Sequence, residues 1–326
     1  MANDPRDPSG KRLQQALHQL GRNPVLRKEL LGFLKRAETR LDYAGSLRDD
    51  VTGPIIDALH DDEDRYEKTL ADGTKFQFLF RTKIARDFLL SDDERPSHVW
   101  EPQTTRLLLH LSSGMEGDVI VGGAYFGDQA VLVGKSIAPQ GGRVHCFEPN
   151  LAQAAMLQTN IDLNALPNMV VNRLGLWSQS SVRLKLDGFN VGLVQLDIEG
   201  AEYGALCGAA TTIEQCRPSI VFEVHRDYVD WSPGLENTPI CALLRDAGYT
   251  VFAVRDFNTH RELPGKPVEL IPADKVYLEG PPHGFNMVAV RDASVFSGPE
   301  FKFVENVSPK LLLYKSPSLH HPTDGL

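Results

Sequence analysis

Apolar positions near the start of the chain recur at helical spacing and then give way to alternation. Leu13, Leu17 and Leu20 fall three or four apart, and Leu30, Leu31 and Leu34 predict a second helix. The stretch GPIIDALHDDEDRYEK, 53–68, reads as a third helix ending in an acidic run. YEKTLADGTKFQFLF, 66–80, alternates on either side of Asp72-Gly73 and predicts a hairpin with a tight turn there. EPQTTRLLLHLSS, 101–113, returns to helical spacing. Residues 1 to 10, rich in Pro, Asp and Gly, read as unstructured.

From Asp118 the rhythm changes to short apolar runs separated by helical segments. The runs are DVIVGG, RVHCFEPN, NMVVNRLGLWS, VGLVQLDIEG, SIVFEVH, YTVFAVRD and FNMVAVRD. Helical patterns stand between them at 127–138, 151–164, 201–216 and 240–248. Strands that are apolar nearly throughout, alternating with helices, predict an α/β fold whose parallel sheet is covered on both faces. The last two runs are expected to form an antiparallel edge. This divides the chain into an α-rich extension with a hairpin (1–100), an α/β domain (101–296) and a tail (297–326) without strong pattern.

Composition narrows the function classes. A net charge of -9 argues against a nucleic-acid partner, which calls for a basic face. No apolar run is long enough to cross a membrane, and the polar start, MANDPRDPSGKRLQQ, lacks the apolar core of a secretion signal. Cys146, Cys207, Cys216 and Cys241 form no CxxC pair and read as isolated thiols, so a cytoplasmic setting is expected.

The candidate chemistry sits at strand ends. GGAYFGD, from Gly122 to Asp128, follows the first strand of the α/β region. In an open α/β sheet that is where ligands bind, with glycines letting the backbone approach and the next helix presenting free N–H groups. Glu148 ends the second strand, where a carboxylate accepts two ribose hydroxyls. A dinucleotide site needs G-x-G-x-x-G, but Gly123 and Gly127 are separated by Ala124, Tyr125 and Phe126. The turn therefore favours S-adenosylmethionine over a nicotinamide cofactor. Asp197, Glu199 and Glu202 cluster at the end of the fourth strand, and Glu223 and His225 at the end of the fifth. Glu202, and to a lesser degree Asp197, can also be read as helix N-terminal caps.

These blocks together resemble the FkbM family of S-adenosylmethionine-dependent methyltransferases. The family's G-A-x-x-G-D turn stands as Gly123 to Asp128, its F-E-P-N as Phe147 to Asn150, and its I-D-x-E-G-x-E as Leu196 to Glu202. Phe222-Glu223-Val224-His225 matches the strand that follows, and the likeness covers about 115–290. The resemblance implies a doubly wound, Rossmann-like, seven-stranded sheet and methyl transfer to oxygen. It also implies an acceptor among sugars, glycosides and hydroxylated natural products. One departure matters: Val121 stands where the family carries an acid, and Tyr125 replaces its Asn. Asp118 lies too far back along the strand to substitute for that acid.

On this reading Gly123, Ala124, Tyr125, Phe126, Gly127 and Asp128 hold the methionine part and Glu148 the ribose, while Asn172 and Leu176 wall the adenine. Asp197, also a cofactor neighbour, surrounds the acceptor hydroxyl with Glu199 and His225, and His225 is the preferred base. Asp197, Glu199, Glu223 and His225 offer ligand atoms for Mg²⁺, but their spacing is not a ligand pattern, so no resident metal is expected. Tyr228 and Trp231, among acids after the fifth strand, suit a carbohydrate face or a packed loop; His283 reads as a surface residue. The N-terminal helices and hairpin are expected to cover the cleft mouth or form a homodimer contact. Transfer to nitrogen is disfavoured because no N/D-P-P-Y/F run follows the fourth strand. The rival from another class is a catalytically silent binding or scaffold protein, supported by Val121.

Overall fold

Asn23 ends one leucine-spaced helix and starts the next. Its side-chain oxygen accepts the backbone N–H groups of Val25 (3.1 Å) and Leu26 (3.2 Å), capping α2 (Pro24–Arg40) after α1 (Pro8–Gly21). α1 thus begins inside the stretch expected to be unstructured. The structure is a computed structural model; it describes residues 8–43, 47–61, 64–91, 93–178, 190–257, 260, 263–278 and 284–311. The third predicted helix is shorter than its pattern implied. A π-helical turn, Arg48–Thr52, leads into α3 (Gly53–Ala58), and the end of the segment is strand β1 (Arg65–Thr69). Alternating exposure along 65–69 shows why helical spacing failed there. β2 (Lys75–Leu79) completes the hairpin. Gly73 takes φ 85° in its turn, and Asp72 accepts the Thr74 N–H at 3.0 Å. α4 (Lys83–Leu89) follows.

Two compact units divide the described chain. One takes 8–67 and 78–91, the other 68–77 and 93–311. In the first, Leu34, Ile56, Phe80 and Leu90 are buried together, and the His60 ring stacks on Phe80 at 4.0 Å. Arg48 bridges Glu38 (2.6 Å) and Asp87 (3.2 Å).

The second unit is the α/β domain. After α5 (Pro102–Ser112), β3 (Asp118–Gly122), α6 (Ala130–Ile137), β4 (Val144–Phe147), α7 (Leu151–Leu163) and β5 (Met169–Asn172) form one half. β6 (Val191–Leu196), α8 (Glu202–Gly208), α9 (Ala210–Cys216), β7 (Ser219–Val224), α10 (Pro239–Asp246) and β8 (Thr250–Arg255) form the other. The single helix expected over 201–216 is broken at Ala209 (φ -94°, ψ 9°) into α8 and α9. β9 (Val268–Pro272), β10 (Phe285–Val290) and β11 (Phe301–Phe303) follow. The strands form one sheet in the order β11-β9-β8-β10-β7-β6-β3-β4-β5.

All seven expected strands are present, but among the described residues the sheet has nine. β9 and β11 extend its edge. Their patterns are weak: buried Glu269 interrupts β9, and β11 has three residues with Lys302 in the middle. β10 is not an edge strand. It runs antiparallel between β7 and β8, pairing Met287 with both Phe222 and Ala253. All six of its residues are buried, as a strand flanked and covered on both faces requires. β3, β4, β5, β6 and β7 are mutually parallel along the sheet. The chain winds outward from β3 to β5 and then resumes on the other side of β3 at β6. The crevice at the carboxyl ends of β3 and β6 is therefore the switch point, where ligands bind in such sheets.

Candidate active site

β3 ends in a turn whose backbone is held from both neighbouring strands. The N–H groups of Gly123 and Ala124 donate to the Phe147 carbonyl (2.9 and 3.2 Å), and Asp197 N–H donates to the Gly122 carbonyl (3.0 Å). Gly123 takes φ 75°, and a Cβ there would overlap the Asp197 carbonyl oxygen, so only glycine fits. Gly127 takes φ 93°, and its Cβ would meet Leu157 at 2.7 Å. Tyr125 is left-handed at φ 48°, a strained position for a bulky residue. Its N–H donates to Glu148 Oε2 (2.9 Å), and the other carboxylate oxygen accepts Asn150 N–H (2.8 Å). Glu148 is buried with both oxygens fixed, and each keeps acceptor capacity for a hydroxyl.

The other expected cofactor residues divide by direction. The side chains of Ala124 and Phe126 face the core, Phe126 meeting Phe76 at 6.1 Å, so only their backbone borders the crevice. Asn172 uses Nδ2 on the Cys146 carbonyl (3.2 Å). Leu176 lies over Gly122, 2.8 Å from where its Cβ would be, beside Ile198. Val121 is buried in β3. Asp118, at the opposite end of that strand, accepts from Arg143 N–H and contacts His145 Nε2, both at 2.9 Å. It cannot supply the acid that Val121 replaces.

The acids gather beyond the turn. Asp197 follows β6, and Glu223 stands in β7; their side chains hydrogen-bond to each other. Glu202 is a structural cap: it is buried, and its Oε1 accepts Ile198 N–H at 2.8 Å. Glu199 is exposed, on a left-handed turn at φ 53°. Enclosure and the Asp197 charge push Asp128 up to about 7. Asp197 opens to the crevice, yet the protein around it and the charges of Glu199 and Glu202 push it up to about 6. Desolvation and the charges of Asp197 and Glu101 push Glu223 up to about 9.

Three further contributors come from distant segments. Glu101, at the start of α5, is buried, accepts Asn286 Nδ2 at 2.6 Å, and is pushed up to about 8 by burial. Asp256 follows β8 and accepts the Thr104 N–H (2.7 Å) and hydroxyl (2.9 Å), tying α5 to the sheet. Lys310 is buried, and its charge favours the ionised forms of Glu101, Asp197 and Glu223. Sequence reasoning missed Glu101, Asp256, Lys310 and Asn286, and gave Glu223 a role only as a metal ligand. Glu101 before a helix-starting proline was the one local signal; Lys310 has none.

His225 stands near Glu223, at the end of β7. A Cβ at Gly284 would overlap Glu223 Oε1 and lie 2.9 Å from His225 Cδ2, so both side chains pack against this glycine. His225 Nδ1 accepts Asp227 N–H at 3.2 Å. Nδ1 also lies 3.7 Å from Asp227 Oδ2, so that side of the ring is turned to Asp227. Tyr228 is exposed, its ring lies on Gly200, and its centroid is 5.3 Å from that of His225. Trp231 packs on Phe285 at 5.5 Å. His283 lies outside the described residues. Among the described residues, no group of three or more His, Cys, Asp and Glu is arranged to hold a metal ion, and no helix is long and apolar enough to cross a membrane.

The crevice fits S-adenosylmethionine. Its turn has space only for glycine at Gly123, and it carries a fixed carboxylate where a ribose is expected. The sequence profile of the methyltransferase FkbM domain matches residues 180–251. Among curated proteins, none matches the chain in sequence. Solved structures similar to this chain include TYW2 of M. jannaschii in complex with AdoMet, at 15% identity over 71% of this chain and 86% of that one (TM-score 0.42). Another is methyltransferase FkbM of Methylobacillus flagellatus KT, at 16% identity over 55% of this chain and 44% of that one (TM-score 0.33). A third is precorrin-6y C5,15-methyltransferase of Geobacter metallireducens GS-15, at 12% identity over 58% and 88% (TM-score 0.34). Over residues 180–251 the chain is thus similar to the methyltransferase FkbM domain, and the glycine turn and the carboxylate at the end of β4 stand in the same sheet as that stretch.

Proposed function

We propose that the protein methylates a hydroxyl oxygen of a small acceptor containing a sugar, or of a hydroxylated natural product. The observation that carries this reading is the placement of Asp197. Its backbone seals the glycine turn and its side chain opens to the crevice, so a proton acceptor borders the cofactor cradle. S-adenosylmethionine supplies an activated methyl group. Gly123, the Tyr125 backbone and Gly127 would hold its methionine end, Glu148 its ribose, and Leu176 with the backbone near Asn172 its base. Asp128 is the side chain nearest in kind to the acid that Val121 lacks.

Asp197 receives the acceptor's proton, and His225 donates Nε2–H to the acceptor oxygen rather than serving as base. Glu199 faces the acceptor from its exposed turn. Tyr228, pinned flat on Gly200 among exposed acids, offers the apolar face and hydroxyl partners that a sugar ring uses. Four free cysteines accord with a cytoplasmic setting. Incubation with methyl-labelled S-adenosylmethionine and a panel of sugars and methyl glycosides tests this. A labelled methyl ether, lost in Asp197→Asn by about 100-fold or more, is expected; label on nitrogen or carbon would refute transfer to oxygen.

A further inference from the structure

We propose that Glu223 is the positioning residue of the transfer site: it holds a proton in a hydrogen bond to Asp197, and so keeps Asp197 as the carboxylate that receives the acceptor's proton. This rests on the reading of transfer to oxygen given above. β6 and β7 are parallel neighbours in register at Leu196 and Phe222, so Asp197 and Glu223 emerge side by side. Their carboxyls hydrogen-bond. Two ionised carboxylates are both acceptors and cannot bond to one another, so one retains its proton.

The surroundings decide which one. Glu223 stands within the strand and is packed against Gly284, where any side chain would displace it. Asp197 opens to the crevice. The charged and titratable groups around the pair are Glu101 at the start of α5, Asp128 on the cofactor turn, Glu199 and Glu202 beyond β6, and His225 beyond β7. Lys310 acts on both members of the pair, and Asp256 beyond β8 acts on Glu101. Asn286, opposite Glu223 in the ladder, is neutral and turned to Glu101. The acids outnumber the one lysine, so the pair stays singly protonated, and the more enclosed Glu223 takes the proton. The shifts agree, with Glu223 up to about 9 and Asp197 to about 6.

During transfer the new C–O bond forms as the methyl–sulfur bond breaks, and the electron pair of that bond stays on sulfur. The acceptor's hydroxyl proton passes to Asp197, while Glu223 keeps its own proton and orients the Asp197 carboxylate throughout.

The test is carboxyl-carbon NMR titration of the full chain labelled at Asp and Glu, without cofactor, paired with transfer from labelled S-adenosylmethionine to sugars and methyl glycosides. Two glutamates, Glu101 and Glu223, should remain protonated at neutral pH, and the later-titrating of the two resonances should vanish in Glu223→Gln. That amide keeps a donor toward Asp197, so this variant should transfer methyl about ten times faster than Glu223→Ala. It should also lack the alkaline limb that ionisation of Glu223 gives the wild type. The proposal is overturned if every glutamate titrates in the ordinary range near 4 to 5, or if both late-titrating resonances survive in Glu223→Gln. Equal rates in the Gln and Ala variants overturn it too. If the late-titrating glutamate is present but no hydroxyl is methylated, the oxygen reading fails instead, and with it Asp197's role. If hydroxyls are methylated and all carboxyls titrate ordinarily, only the pair fails.

Discussion

Gly123 shows how the packing of neighbouring strand ends can dictate one residue type. Its positive φ and the carbonyl of Asp197 leave no room for a Cβ. Gly123→Ala should therefore part β3 from β6 at their ends, costing about 2 kcal/mol or more in chemical denaturation and abolishing S-adenosylmethionine binding in calorimetry. Glu148→Gln should fold normally by circular dichroism yet bind the cofactor about 10- to 100-fold more weakly, because one charged acceptor of the ribose becomes a donor. Unchanged affinity would remove Glu148 from the ribose site. Gly123 was legible in the sequence because close backbone approach demands glycine at a strand end. Glu101 and Lys310 were not, since each is a single residue brought to the cluster from a distant segment by the fold. His225 was legible in place, beside Glu223 at the end of β7.

Among the elements, α7 holds the hairpin strand β2 by mimicking a neighbouring strand. Asn160 accepts Gln77 N–H (2.7 Å) and donates to the Gln77 carbonyl (2.9 Å), and Asn164 does the same with Lys75 at 2.9 and 2.8 Å. Asn160 also donates to the Phe126 carbonyl at 2.8 Å, so the hairpin is tied to the cofactor turn. Asn160→Ala should speed hydrogen exchange at Gln77 and weaken S-adenosylmethionine binding several-fold, with the sheet amides still protected. Nothing local marks this clamp, since an asparagine within a helix carries no periodic signal. The sheet itself was legible where strands are apolar throughout, as in β3, β6 and β7. It was misread where pairing decides: β10 has the pattern of any buried strand, and its place between β7 and β8 is set by partners that spacing does not reveal.

At the scale of the whole molecule, the buried acids couple stability to pH. Asp128, Asp197 and Asp256 are pushed up to about 7, 6 and 6, and Glu101 and Glu223 to about 8 and 9. Each folded-state value lies above its unfolded counterpart, so the folded chain binds more protons between the two. Stability is then highest on the acid side and falls as pH rises through about 6 to 9. Denaturant titrations should show a loss of at least about 1.4 kcal/mol from mildly acidic to alkaline pH, one unit's worth of shift. Stability that rises over this window would contradict the buried cluster. Lys310→Met should steepen the loss at the alkaline end and matter least under acidic conditions, where the acids it faces are neutral. The central claim is that the turn after β3 is a methyl-donor site despite Val121. Calorimetric titration of the cofactor-stripped chain with S-adenosylmethionine, S-adenosylhomocysteine and NAD tests it most directly. Micromolar binding of both adenosyl ligands and none of NAD is expected; failure to bind either adenosyl ligand would contradict the claim.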